Sequence, residues 1–206
     1  MLDLGPIAQG LALALGRHPT LSVRRRETVL HVRTYEVMDS GRQHLLCRIK
    51  ESKLNLEPRA LTGAIEGNAT GHGSEPARTT GYIVENPEAK VAIWAVKFLK
   101  RGDRGFLIHV VDSQTNRRLG LIDVNAPRWK GVIEATWTTI DGQPLMHATV
   151  KQPITGPDGR EVCIERHPAL ALRDIWELEF KPGLDRLYIL IFAVIWACEK
   201  LPRGSL

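Results

Sequence analysis

Leu187-Tyr188-Ile189-Leu190-Ile191-Phe192-Ala193-Val194-Ile195-Trp196-Ala197-Cys198 is an unbroken apolar run near the end of a 206-residue chain. It follows Pro182-Gly183-Leu184-Asp185-Arg186 and stops at Glu199-Lys200-Leu201-Pro202. A membrane-spanning helix needs roughly 17–25 mostly apolar residues, so a run this short reads as a helix buried inside protein. It is apolar on every face, whereas a surface helix keeps one polar face. The remainder of the chain must therefore enclose it. Asp185 and Lys200 complement the two ends of the helix dipole, and Pro202 blocks continuation, which places the helix at about residues 185–200.

Upstream, the pattern is one of short alternating runs separated by turn residues. Val29 to Met38 alternates, Asp39-Ser40-Gly41-Arg42 turns, and His44 to Lys50 returns. The same unit recurs from Tyr82 through Glu85-Asn86-Pro87-Glu88 to Phe98, and from Phe106 through Asp112-Ser113-Gln114-Thr115-Asn116 to Val124. It recurs again across Asp141-Gly142 and across Pro157-Asp158-Gly159, and a last strand is expected around Asp174 to Phe180. Asp and Gly between alternating runs mark hairpins, because such turns need residues that bond their own backbone or tolerate positive φ.

The hairpin units amount to about ten to twelve antiparallel strands before one helix. An eight-stranded barrel has room only for its own side chains, and a helix with side chains is roughly 10–12 Å across, so enclosing it takes a wider barrel. The expected fold class is therefore mainly β: a closed antiparallel barrel of about twelve strands around a buried hydrophobic C-terminal α-helix. The expected domain organisation is an N-terminal arm over residues 1–27 with a short helix packed on the domain, the barrel over 28–201, and a tail over 202–206. Residues 53–80, rich in Gly, Ala, Thr and Pro, read as a long loop, with Gly67 to Pro76 its most mobile part. Asn68-Ala69-Thr70 fits a glycosylation tripeptide that nothing else in the chain supports.

Charge and composition narrow the function. A net charge of +5 permits contact with phosphate-rich surfaces. Cys47, Cys163 and Cys198 are an odd, widely spaced set without a C-x-x-C pair, so reduced thiols in a cytoplasmic setting are expected rather than a disulfide framework or zinc site. The segment around Leu11 to Leu15 lacks the basic residues that precede the apolar core of a signal peptide.

The repeated hairpins around Tyr35 to Gly41 and Phe106 to Asp112, together with Trp129, Trp137 to Gly142 and Trp176 to Phe180 leading into Leu187 to Cys198, resemble the tubby C-terminal-like superfamily. That group includes phospholipid scramblases and LURP-one-related proteins. The resemblance covers the chain from about Thr28 onward. It implies the twelve-stranded barrel around a central helix, in a group whose members are associated with phosphoinositide binding, calcium-linked lipid scrambling or no established activity. The chain lacks the proline-rich arm and cysteine cluster of animal scramblases, and no acidic segment matches their calcium site.

The best local cluster for an anionic phospholipid head group is Lys97, Lys100, Arg101 and Arg104, extended by Arg117 and Arg118 and by Arg128 with Lys130. Arg24-Arg25-Arg26, expected just before the first strand, is a second, shorter basic run. Asp39, Asp112, Asp141 and Asp158 all sit at turns, where Asp serves the backbone. His31, His109 and His147 fall singly inside strands, and the tryptophans do not interleave with basic residues as a base-stacking face would. No catalytic set, cofactor, metal site or nucleic-acid partner is expected. The expected function is a non-enzymatic barrel that binds anionic membrane lipids, cytoplasmic and peripheral at the membrane. The alternatives are a scaffold domain with a protein partner engaged by the 53–80 loop, and a membrane protein anchored by Leu187 to Cys198.

Overall fold

The structure is a computed structural model that describes residues 4–27, 33–53, 80–99, 105–126, 134–150, 152–166 and 175–200. Twelve strands form one closed barrel. They are β1 (Thr20–Glu27), β2 (Arg33–Asp39), β3 (Leu45–Lys53), β4 (Thr80–Glu85), β5 (Val91–Leu99), β6 (Gly105–Asp112), β7 (Arg118–Asn125), β8 (Glu134–Thr138), β9 (Pro144–Thr149), β10 (Ile154–Thr155), β11 (Glu161–Arg166) and β12 (Ile175–Phe180). Each strand pairs antiparallel with its sequence neighbours, and β1 closes the ring on β12 in the register Leu21↔Leu178 and Val23↔Trp176. Helix α1 (Pro6–Leu15) precedes the barrel and helix α2 (Arg186–Lys200) follows it.

All twelve residues from Leu187 to Cys198 are between 0 and 5 % exposed, so α2 is the core of the barrel. The strands alternate as a half-buried sheet must. Val23, Val37, Ile49, Val84, Ile108 and Ile122 are fully buried, and the residues between them face outward. Trp137 reaches inward from β8 and meets Tyr188 edge-on at 5.3 Å between ring centroids, with Phe192 at 6.3 Å. Gly120 makes room for that indole: a Cβ there would lie 2.2 Å from Trp137 Nε1. Among the described residues no helix is long and apolar enough to cross a membrane.

Five hairpins, β2–β3, β4–β5, β6–β7, β8–β9 and β10–β11, turn at the same mouth of the barrel. Each carries a register shift beside its turn, at Val37/Met38, Val84/Glu85, Val110/Val111, Trp137/Thr138 and Ile154/Thr155. Bulges sharpen twist and bending, which helps a sheet to close. Each turn also holds one residue at positive φ: Arg42, Ala89, Asn116, Gly142 and Gly159. A short polar side chain receives the returning backbone in all five turns. Asp39 accepts from Gln43 N, Asn86 from Lys90 N, Asp112 from Gln114 N, Thr139 from Gln143 N and Asp158 from Arg160 N. The turn aspartates at 39, 112 and 158 thus do the backbone chemistry expected of them.

One boundary differs from the sequence expectation. The barrel begins at Thr20 rather than Thr28, because Thr20 to Glu27 is the strand that closes the ring. Arg24, Arg25 and Arg26 therefore lie within β1 and not ahead of the first strand. The expected loop and glycosylation tripeptide in 54–79, Arg128, Trp129, Lys130, His31 and the tail fall outside the described residues. The short N-terminal helix is present, with Ala8, Leu11 and Leu15 buried. It lies across the turn mouth and packs on α2, β3 and β5.

Candidate functional site: a basic sheet face and a charged mouth

Of the six basic residues singled out in the sequence, the three described ones, Lys97, Arg117 and Arg118, do not form one cluster. Lys97 lies on β5 in phase with the buried Ile93 and Ala95, so its side chain points into the barrel. Its ammonium sits 2.8 Å from both carboxylate oxygens of Glu199, near the end of α2, and 3.6 Å above the Phe106 ring. The two side chains are only 11 % and 7 % exposed, and the Tyr82 hydroxyl donates a further hydrogen bond to Glu199. As a lipid contact, Lys97 is thus corrected: it latches the C-terminal end of the core helix. Strand alternation imposes that direction. Lys100, Arg101 and Arg104 fall outside the described residues. Arg117 is exposed in the β6–β7 turn at the opposite mouth, and Arg118 opposes Val111 at the start of β7.

Around the end of α2 the barrel interior is polar. Tyr35 packs edge-on against Trp176 at 5.8 Å and lies beside Cys198. Burial first, then the neighbouring Cys198, raises the Tyr35 phenol far above its ordinary range. Burial likewise raises Tyr82 and Cys198, and pushes the Cys47 and Cys163 thiols up to about 12. A thiol must ionise to act as nucleophile or metal ligand, so these three free, buried cysteines are chemically quiet. Among the described residues no group of three or more His, Cys, Asp or Glu side chains could hold a metal ion.

A basic surface does occur on the outer face of β1–β3. In β1, alternation sends Arg24 and Arg26 outward and leaves Arg25 opposite the buried Tyr35. The register places Arg24 opposite Glu36, and Glu36 opposite Arg48 on β3. Arg26 Nε reaches Glu36 Oε2 at 2.6 Å, and Lys50 Nζ reaches Glu85 Oε2 at 2.7 Å. Four cations facing two carboxylates leave positive charge in excess. Arg24, which is exposed, and Arg48, which is half-buried, have no side-chain hydrogen bond or ion pair among the described residues. On the β12 side this face is bounded by Glu177, which meets Arg42, and by Glu179, which pairs with Arg166 at 2.6 Å.

The chain matches no family model, no curated protein and no solved structure.

The sequence signal for the sheet face was the run Arg24-Arg25-Arg26. Its meaning depends on Arg48 and Lys50, which lie two strands away and join it only through the β1–β2–β3 register. Nothing in the linear spacing brings those four residues together. His109, a lone strand histidine, lies on the outer side of β6 against Phe98, with ring centroids 5.1 Å apart. His147 accompanies Thr136, with Nδ1 3.1 Å from Oγ1.

Proposed function

We propose that this chain is a non-enzymatic barrel of the tubby-like kind that binds anionic phospholipid head groups at a membrane surface, through the outer face of β1–β3. The observation that carries the reading is the pair Arg24 and Arg48, which flank Glu36 across three strands with no partner of their own among the described residues. Arg26 and Lys50 broaden the positive surface. Guanidinium groups suit phosphate, because their planar donors match two of its oxygens at once. Near an acidic leaflet each basic residue contributes roughly 1 kcal/mol, so a face of this size supports reversible attachment rather than a permanent anchor. The helix that would serve as an anchor is occupied as the core of the barrel. Supporting the family likeness is the closed twelve-stranded barrel around a central helix, the architecture that the resemblance implies.

Vesicle flotation tests this reading. The protein is expected to float with phosphatidylcholine vesicles containing phosphatidylserine, to stay behind with phosphatidylcholine alone, and to dissociate as salt rises, because exposed charges are screened over about 8 Å at physiological ionic strength. Arg24→Ala with Arg48→Ala is expected to weaken binding on the order of tenfold while leaving the melting temperature unchanged, since neither residue is paired among the described residues. Failure of the unmodified protein to float with acidic vesicles would overturn the proposal.

A further inference from the structure

Glu36 sets a negative charge at the centre of the basic face. On the middle strand of β1–β3 it stands opposite Arg24 of β1 on one side and opposite Arg48 of β3 on the other. Side chains directly opposite in an antiparallel ladder start roughly 4.5–5.5 Å apart. Its Oε2 lies 2.6 Å from Arg26 Nε, and the Glu36 side chain is 18 % exposed against 55 % for Arg26, so the carboxylate is the less open to water of the two. The acids that border the face are placed differently. Glu85 is held by Lys50, Glu177 by Arg42, and Glu179 by Arg166 and Lys181. Of these four acids only Glu36 stands between two guanidiniums, Arg24 and Arg48, that have no partner among the described residues.

Neighbouring strands lie about 4.8 Å apart, so Arg24 and Arg48 are rooted roughly 10 Å apart with β2 between them. A phosphate group that both guanidiniums reach must then sit over β2 at Glu36, beside its carboxylate. The two anions repel each other there and compete for the same guanidinium donors. We propose that Glu36 is a resident competitor that sets how acidic a membrane must be before the protein attaches, a role that rests on the reading of β1–β3 as the lipid-binding face. Against a single head group the carboxylate offsets much of the attraction of Arg24 and Arg48. A densely acidic surface presents several phosphates at once and overcomes it. The protein therefore passes over weakly acidic bilayers and selects strongly acidic ones.

Flotation of the full chain with phosphatidylcholine vesicles containing either about 10 % or about 40 % phosphatidylserine tests this role. The unmodified protein is expected to float with the strongly acidic vesicles and hardly with the weakly acidic ones. Glu36→Gln keeps the shape of the side chain and removes its charge. It is expected to bind the weakly acidic vesicles about fivefold more tightly than the unmodified protein, the effect of one charge near an acidic surface, and to gain less on the strongly acidic ones. Its melting temperature is expected to be unchanged, because an exposed ion pair contributes little to stability. Glu88→Gln removes the same charge from the exposed β4–β5 turn, where Glu88 pairs with Lys90, and is expected to change neither affinity. Equal or weaker binding by Glu36→Gln would overturn the proposal and would assign the carboxylate to holding Arg26 in place for the ligand. A gain of the same size in Glu88→Gln would also overturn it, because net charge alone would then account for the effect. Failure of the unmodified protein to float with either vesicle is the different result that overturns the β1–β3 reading itself.

Discussion

Lys97 shows how one side chain is redirected by its strand. It joins a carboxylate on the core helix, and both charges are nearly out of water. Removing one partner of such a pair strands the other, at a cost of about 3–5 kcal/mol, whereas replacing both by apolar groups of similar size is often neutral. Chemical denaturation is therefore expected to show Lys97→Ala and Glu199→Ala each strongly destabilised, and Lys97→Met with Glu199→Leu restored to near the starting stability. A double variant as unstable as the two singles combined would mean that the pair is more than a latch. A smaller effect is expected at Ala89, which sits at φ 61° in the β4–β5 turn. Two of the equivalent turn positions are glycines, Gly142 and Gly159. The left-handed region costs an L side chain roughly 1 kcal/mol or more, so Ala89→Gly is expected to stabilise by about 0.5–1 kcal/mol in urea titrations despite the added freedom of the unfolded chain.

His109 links stability to pH. Burial, and secondarily the Arg118 guanidinium, lower its pKa to about 4. The unfolded chain takes up this proton near pH 6.5 and the folded chain does not, so stability falls as pH drops from about 6.5 to about 4 and the effect levels off below. The loss is on the order of 3 kcal/mol. His109→Leu is expected to flatten this part of the stability profile, and NMR titration is expected to show the ring neutral down to about pH 4. A midpoint near 6.5 would contradict the buried placement.

Among the elements, α1 is held at both ends by groups remote in sequence. Gly5 N donates to Asp112 Oδ2 at 2.8 Å, Ile7 N donates to the Gln114 side chain at 2.7 Å, and Arg186 Nη1 donates to Gly16 O at 2.7 Å. These bonds satisfy groups that a helix leaves unpaired at its ends. Asp112 is fully buried and also receives Gln114 N and Thr115 N. Asp112→Ala leaves three N–H groups without their acceptor and is expected to cost about 2–4 kcal/mol. Hydrogen exchange is expected to quicken first in α1 and the β6–β7 turn. Unchanged protection of α1 would mean that its apolar face alone holds it.

How far these elements could be read from the chain depends on whether their signal was local. The turns at Asp39, Asp112, Gly142 and Gly159, and the apolar run at Leu187 to Cys198, are local signals, and they led to the hairpins and the core helix. The first strand was not legible because Thr20 to Glu27 carries three consecutive arginines, and its purpose is to pair with β12 at the far end of the chain. The same reason hid the second role of Asp112. Its place in a turn was readable, but its bond to Gly5 joins residues 107 positions apart in the chain. Lys97 was misplaced because a basic residue near a strand end looks solvated until its phase and the position of Glu199 are known together.

For the whole molecule, barrel and helix each supply what the other lacks. Twelve strands make a ring too wide for its own side chains to fill, and α2 is too apolar to meet water. The placement of function follows from this. With the apolar run committed to the interior, the surface left for the proposed lipid contact is the outer sheet face and the mouths. The measurement that tests this account most directly is equilibrium unfolding, followed by circular dichroism, of Val194→Asp beside the unmodified protein. Val194 is fully buried in the middle of the core helix, and an unpaired carboxylate or its protonated form there is very costly. The account predicts that Val194→Asp loses the cooperative unfolding transition of the barrel. A variant that retained the same transition at nearly the same midpoint would show that the barrel stands without its helix, and would contradict the account.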